Sequence, residues 1–359
     1  MIKNCKAEIC EAFGIETDCE TYGGGHINDT YLATKNGVLH ILQRMNTKVF
    51  TDPDALMVNI SSVTGHIRKK VKENGGNPDR ETLHFIKTKD GKRYFKDSEG
   101  DCYRAYIFVD DSVTYDAVNN AEEFCESAKA FGRFQNMLAD FPAEELHESI
   151  KNFHKTTERV EHLKEAVAND VCGRLKTCQK EVDYALEQAK HAGIVCDSLE
   201  DGTIPYRVTH NDTKLNNVLF DIHTGKAICV IDLDTVMPGS LLYDFGDSLR
   251  FGANTAVEDE ADLDKVTFDL NLFEAYTKGF VSEMKDSLTE KEKELLAFSA
   301  KLMTYECGIR FLTDYLNGDT YFKIKYPEHN LVRAKNQLKL CQDIDKKMDE
   351  MKKIVKKYC

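Results

Sequence analysis

The stretch THNDTKLNNVLFD, residues 209–221, constrains this chain more than any other. It gathers His210, Asp212, Asn216 and Asn217 into a tight polar loop and then runs straight into an apolar triplet. Beyond it, NVLFDIHTGKAICVIDLD holds two apolar runs joined by His223-Thr224-Gly225, the pattern of a β-hairpin. Asn217 opens the first run and Asp232 ends the second, so a hairpin carries both to one end of its ladder. Phosphoryl transfer to a hydroxyl needs a carboxylate that accepts or orients the nucleophile's proton, an oxygen ligand for a metal ion, and a second carboxylate to complete the metal shell. Asp212 suits the first role, Asn217 the second and Asp232 the third, with Asp234 as a helper. Mg²⁺ takes such hard oxygen donors and keeps its other positions for water and phosphate. The competing reading is a solvated turn rich in Asn and Asp.

Around this motif the chain divides by pattern. β-type runs lie around Thr30–Thr34 and Val38–Gln43, joined by Lys35-Asn36-Gly37, and Asn-Gly between such runs marks a hairpin. Leu56, Ile60, Val63 and Ile67 then fall on one face of a helix. Further strands are expected in ETLHFIKTKDGKRYFKDSEGDCYRAYIFVDD, with Asp90-Gly91 and Glu99-Gly100 as turns. Residues 121–140, 155–195, 270–315 and 333–357 carry Ala, Glu, Lys and Leu at helical spacing. The expectation is an α/β (α+β) chain with a bilobal, protein-kinase-like fold. Residues 1–109 would form a small antiparallel-sheet N-lobe that binds nucleotide. Residues 110–359 would form a larger helical C-lobe with the catalytic loop and the acceptor site.

Composition narrows the partners. With 42% hydrophobic residues in a chain of 359, there is ample material for a core. The 61 acidic against 48 basic residues leave a formal charge of −13, the opposite of the basic footprint that nucleic-acid binding needs. Lys346, Lys347, Lys352, Lys353, Lys356 and Lys357 alternate with Asp345, Asp349 and Glu350 as a solvated helical face does. MIKNCKAEICEAFG lacks the apolar core of an export signal, and no run approaches the roughly 18 apolar residues of a membrane span. A cytoplasmic protein without membrane contact is expected. Its 12 cysteines, scattered from Cys5 to Cys359 with no C-x-x-C pair, read as free and mostly buried thiols.

A second candidate for the metal carboxylate lies downstream. Asp244-Phe245-Gly246 spells the metal-binding tripeptide of protein kinases, but it lies 32 residues after Asp212, whereas Asp232 lies 20 after it. One short hairpin spans the shorter distance. Asp244 also follows Met237-Pro238-Gly239, read as a turn, instead of ending a strand. It is expected to buttress the catalytic loop through hydrogen bonds to its backbone.

The motif H-x-D-x-x-x-x-N followed by I-D-x-x resembles the signature of the aminoglycoside phosphotransferase/choline kinase superfamily. More narrowly, YGGGHINDTYL, ILQRMN, RVTHNDTKLNNVLFD, IDLDTVMPGSLLYDFGDSLRFG, ECGIRFLTDYL and YPEHNLVRAKNQLKL resemble the N-acetylhexosamine 1-kinases, over residues 22–340. This resemblance implies phosphorylation of the anomeric hydroxyl of N-acetylglucosamine or N-acetylgalactosamine, dependent on ATP and Mg²⁺. Carried over, Asp212 is the catalytic base, with Asn217 and Asp232 on Mg²⁺. Gly24 and Gly25 belong to a loop that the superfamily closes over nucleotide phosphates. His26 and Asn28 match the subgroup and reach either there or into the sugar site. Arg310 is read as a sugar or phosphate contact, against a plain i,i+4 pair with Glu306. Phe251 either packs on the acetamido methyl or belongs to the core, and Tyr115 and Tyr321 complete the acceptor candidates. In one respect the chain departs from protein kinases. VLHILQRMN has Gln43 and Arg44 where a strand lysine is sought, and the helix DALMVNISSV offers Asn59 in place of glutamate. Gln43 or Arg44 is therefore expected to hold the nucleotide without that ion pair. The rival acceptors are choline, another amino alcohol or an aminoglycoside.

Overall fold

The computed structural model describes residues 2–4, 6–16, 18–23, 27–284 and 286–359. Its strands are β1 (Ile2–Asn4), β2 (Asp18–Thr21), β3 (Asp29–Lys35), β4 (Val38–Met45), β5 (Phe85–Ile86), β6 (Phe95–Lys96), β7 (Cys102–Ile107), β8 (Ser112–Val113), β9 (Arg207–Thr209), β10 (Val218–Asp221), β11 (Ala227–Val230) and β12 (Met237–Gly239). The helices are α1 (Ala7–Phe13), α2 (Pro53–Glu73), α3 (Pro78–Glu81), α4 (Ala121–Met137), α5 (Thr156–Asn169), α6 (Gln179–Gln188), α7 (Gly193–Glu200), α8 (Leu241–Gly252), α9 (Leu270–Met284), α10 (Glu290–Leu316) and α11 (His329–Tyr358). They form two compact units, one of residues 1–114, 140–150 and 217–238, the other of 115–139, 151–216 and 239–359.

The first unit is built on an antiparallel sheet in the order β1-β2-β3-β4-β7-β5, with β6 also on β7. Lys35 pairs with Val38 across a turn in which Asn36 and Gly37 both have positive φ, as a two-residue hairpin requires. Successive residues of a strand face opposite sides. Leu42, Tyr103 and Ala105 therefore share one face, where Ile9, Cys10 and Phe13 of α1 close a small core. Gln43 and its register partner Arg104 lie on the other face. Asp52 caps α2, accepting from Ala55 N at 3.0 Å, Pro53 begins it, and the stripe Leu56, Ile60, Val63, Ile67 is buried. A second sheet, β11-β10-β8, pairs Val218 with Val230 at the open end of the hairpin.

The second unit is helical apart from β9 and the end of β12. Its core joins α5, α6, α10 and α11 through residues such as Leu163, Val182, Ile309, Leu312 and Leu338. α10 starts with a full capping box between Thr289 and Glu292, which separates it from α9. α8 is buried nearly throughout, and a Cβ on Gly246 would lie 2.3 Å from the carbonyl oxygen of Ser299 on α10. The glycine of Asp244-Phe245-Gly246 thus permits two helices to approach closely. Met237–Gly239 is a short strand and not the turn expected, and Ser240 caps the helix that follows it.

Candidate active site

In the second unit, β9 delivers a loop whose backbone is held from behind by Asp244. The Asp244 carboxylate accepts from His210 N at 2.8 Å, Asn211 N at 2.7 Å and Gln135 Nε2 at 2.6 Å, and its carbonyl accepts from Thr213 Oγ1 at 2.6 Å. Tyr276 donates to Ser248, and Ser248 to the Thr213 carbonyl. Asn211 takes positive φ, and the buried His210 ring meets Phe131 and Phe134 edge-on. This is the buttressing role expected of Asp244. On the loop so held, the half-buried Asp212 has Lys214 Nζ 2.8 Å from one of its oxygens. Burial works against the Lys214 charge, but the attraction of Asp212 outweighs it and raises the ammonium above its usual range.

A run of charged groups continues from Lys214 through the same unit. Buried Asp247 accepts from Arg250 at 2.8 Å; burial alone would push its carboxyl up, but Arg250, Lys214 and His154 together bring it below the usual range. His154 Nδ1 lies 2.8 Å from Glu306, whose other oxygen accepts from Thr156 at 2.6 Å. Glu306 thus binds His154 and Thr156, while Arg310 four residues on lies over the rings of Phe153, Tyr321 and Phe322 at 5.4–5.9 Å. Burial, followed by the nearby Arg310 charge, lowers the Arg159 guanidinium. Among the described residues, His154 Nε2 and Arg159 Nε are buried without a hydrogen-bond partner. Arg310 and Tyr321 are therefore brought together, Tyr321 being 70% exposed. Tyr115 and Phe251 are half-buried.

In the first unit the hairpin holds the other oxygen donors. Asn217 is buried at the end of the turn 215–217, and its carbonyl accepts from Ile231 N at 2.9 Å. Asp232 follows β11, is exposed, and takes positive φ (58°). An amide and an exposed carboxylate at one end of a two-stranded ladder are a hard-oxygen donor set of the kind Mg²⁺ accepts. A second acidic group, Asp97, Glu99 and Asp101, is already neutralised by Lys6 and Arg44.

Asp234, expected beside Asp232 on the metal, has a different environment. One oxygen is paired with Arg104, and the other accepts from Asn28 Nδ2 at 2.7 Å. Asn28 in turn accepts from Asn46 N at 3.0 Å, so both ends of its amide are engaged. Arg104, only 2% exposed, also donates through Nε and Nη2 to Gln43 Oε1 at 3.0 and 2.8 Å. Burial opposes its charge, and Asp234 restores it. Arg44, one residue after Gln43, points to the opposite face and is ion-paired with Asp29 and Asp101. Asn59, standing where protein kinases have glutamate, donates to the carbonyls of His147 and Val236 at 2.7 and 3.0 Å. Arg104 is absent from the sequence-based candidates. Its signal was a lone arginine inside the strand CYRAYI, since a charged residue is almost never fully buried unless paired. Gly24, Gly25 and His26 lie outside the described residues.

Solved structures share this architecture. An aminoglycoside phosphotransferase from Alicyclobacillus acidocaldarius superposes with a TM-score of 0.63 at 11% identity, covering 99% of this chain and 98% of that one. Amicoumacin kinase, solved with AMP-PNP, Ca²⁺ and amicoumacin, gives 0.59 at 14% identity over 92% and 91% of the two chains. A microcompartment-associated aminopropanol kinase gives 0.58 at 12% identity over 96% and 97%. The fold is thus aminoglycoside phosphotransferase-like, with an antiparallel-sheet N-terminal part and a helical C-terminal part. The phosphotransferase enzyme family model matches residues 86–278, more than half of the chain, and the chain belongs to that family.

Proposed function

We propose that this chain is an ATP- and Mg²⁺-dependent kinase that phosphorylates the anomeric hydroxyl of N-acetylglucosamine or N-acetylgalactosamine to the sugar 1-phosphate. The observation that carries the reading is Asp212, a half-buried carboxylate on a loop whose backbone is fixed at His210, Asn211 and Thr213. In this reading Asp212 accepts the proton of the attacking hydroxyl, and Lys214 at 2.8 Å orients its carboxylate. An anomeric hydroxyl is more acidic than an ordinary alcohol, so a carboxylate base suffices. Asn217 and Asp232 hold the metal, and Asp234 orients the turn that carries Asp232. When bound, Mg²⁺·ATP supplies the phosphoryl group and a counter-charge to it. What remains for the protein is mainly positioning and electrostatics. Nucleotide binding falls to residues 1–109 and the acceptor to residues 110–359. Both nucleotide candidates on this strand already have partners: Arg104 and Thr30 hold the Gln43 amide, and Asp29 and Asp101 take up the Arg44 guanidinium.

The choice of acceptor is supported by the charged run in the second unit. Arg310, framed by Phe153, Tyr321 and Phe322, and the neighbouring Arg159 form an environment that disfavours a cation. A neutral sugar with hydroxyl and acetamido groups fits it better than an amino alcohol or an aminoglycoside. The test is ³¹P NMR of the products after incubation with Mg²⁺·ATP and each N-acetylhexosamine in turn. A phosphorus resonance coupled to the anomeric proton is expected. Phosphate on O6 would leave a sugar kinase of another regiochemistry, and transfer only to choline, aminopropanol or an aminoglycoside would replace the acceptor.

A further inference from the structure

The departure from protein kinases at Gln43 has a counterpart one strand away. Gln43 on β4 and Arg104 on β7 are direct register partners, and their side chains are joined by two hydrogen bonds on the sheet face opposite α1. Arg104 continues to Asp234, which sits two residues beyond Asp232 in the turn Leu233–Thr235. Asn28 holds the second Asp234 oxygen, Ser149 donates to the Asp234 carbonyl at 3.3 Å, and Asn59 donates to the carbonyl of Val236 at 3.0 Å. Four side chains from four separate parts of the first unit, Asn28, Asn59, Arg104 and Ser149, therefore converge on residues 234–236, with Gln43 behind Arg104, beside an aspartate in a left-handed conformation that non-glycine residues seldom adopt.

Stability alone is a weak reason for such an arrangement. A buried ion pair is often no better for folding than apolar residues of similar volume, while it does impose one geometry. Carboxylates that ligate metals are commonly held by hydrogen-bonded partners behind them. Asp232, exposed at the end of β11, has the position of a ligand, and Asp234, enclosed by Arg104 and Asn28, has that of an anchor.

We infer that Arg104 is a positioning residue for the metal: clamped between Gln43 and Asp234, it fixes the turn that aims the Asp232 carboxylate. The inference rests on the kinase reading above but not on the identity of the acceptor. It assigns the strand cation a different task from that of a protein-kinase lysine. Arg104 acts through Asp234 on the metal carboxylate, and Gln43 aligns the guanidinium for it.

The test compares wild type, Arg104→Lys and Asn28→Ala by calorimetric titration with a non-hydrolysable ATP analogue, with and without Mg²⁺. Circular dichroism and thermal melts confirm that each variant is folded. Arg104→Lys keeps the charge and loses the fork to Gln43 and Asp234; Asn28→Ala frees one Asp234 oxygen without stranding a buried charge. Both variants are expected to weaken the Mg²⁺-dependent part of binding by roughly 10–100-fold. Metal-free binding should stay within about twofold, because the clamp reaches the nucleotide only through the metal carboxylate. Wild-type Mg²⁺ dependence in Arg104→Lys overturns the inference. So does an equal loss with and without Mg²⁺, which is the mark of a phosphate contact or of a merely structural role. If wild type binds Mg²⁺·nucleotide yet phosphorylates neither sugar, only the acceptor reading falls. If wild type shows no Mg²⁺-dependent binding at all, both fall.

Discussion

At the residue scale, three aspartates have different surroundings, and the proposed roles divide among them. Asp212→Asn removes the proposed base and leaves the loop's backbone bonds intact. Its kcat is expected to fall about 10²–10⁴-fold, with nucleotide affinity by calorimetry unchanged. Asp232→Ala should show the reverse emphasis, a loss of Mg²⁺·ATP affinity in the same titration. Asp244→Asn keeps one acceptor oxygen and replaces the other, within a fully buried set of three N–H donors. It is expected to lower unfolding free energy by about 1–3 kcal/mol, read from urea midpoints, with Mg²⁺ binding retained by the folded fraction. Loss of metal binding in Asp244→Asn together with its survival in Asp232→Ala would reverse the choice between them. The buttressing by Asp244 was legible in sequence because spacing alone separated it from the hairpin carboxylate. The clamp around Arg104 was not. Gln43 and Arg104 are 61 positions apart and become neighbours only through strand register, which alternating patterns do not specify between distant strands.

At the element scale, the pairing of α10 with the start of α5 depends on Glu306. Burial by itself would raise this carboxyl, but His154, Arg310 and Thr156 more than reverse that, leaving it below the usual carboxylate range. A depressed folded-state pKa means stabilisation that is complete above the unfolded value, about 4.3, and is lost as pH falls through the folded value. Urea midpoints of the wild type should therefore decline below about pH 4.3 more steeply than those of Glu306→Gln. Parallel profiles for the two proteins would show that Glu306 does not contribute in this way. Helix faces were read well where one apolar stripe dominates, as on α2. They were read less well at 270–315, where the capping box at Thr289 and Glu292 divides what looked like one helical region. α10 is buried on nearly all sides, so it lacks the polar face whose end would have marked the break.

Across the whole molecule, burial sets the behaviour of the thiols. It pushes Cys178 up to about 11 and Cys229 up to about 12, while Cys172 is exposed. Iodoacetamide applied to the native protein at pH 8, followed by peptide mass spectrometry, should label Cys172 and spare Cys178 and Cys229 until denaturant is added. Early labelling of either buried thiol would contradict the packing. The reading of free cysteines thus agrees with the eleven free thiols among the described residues. The sheet has a further consequence for chemical probes. β4 and β7 contain no lysine, and the cation at their shared face is an arginine enclosed by its partners. Nucleotide analogues that trap protein kinases by acylating the strand lysine have no primary amine to react with on either strand. In a mixed cell extract this chain would stay unlabelled there while lysine-bearing kinases were captured, and profiling methods built on that reaction would pass over it.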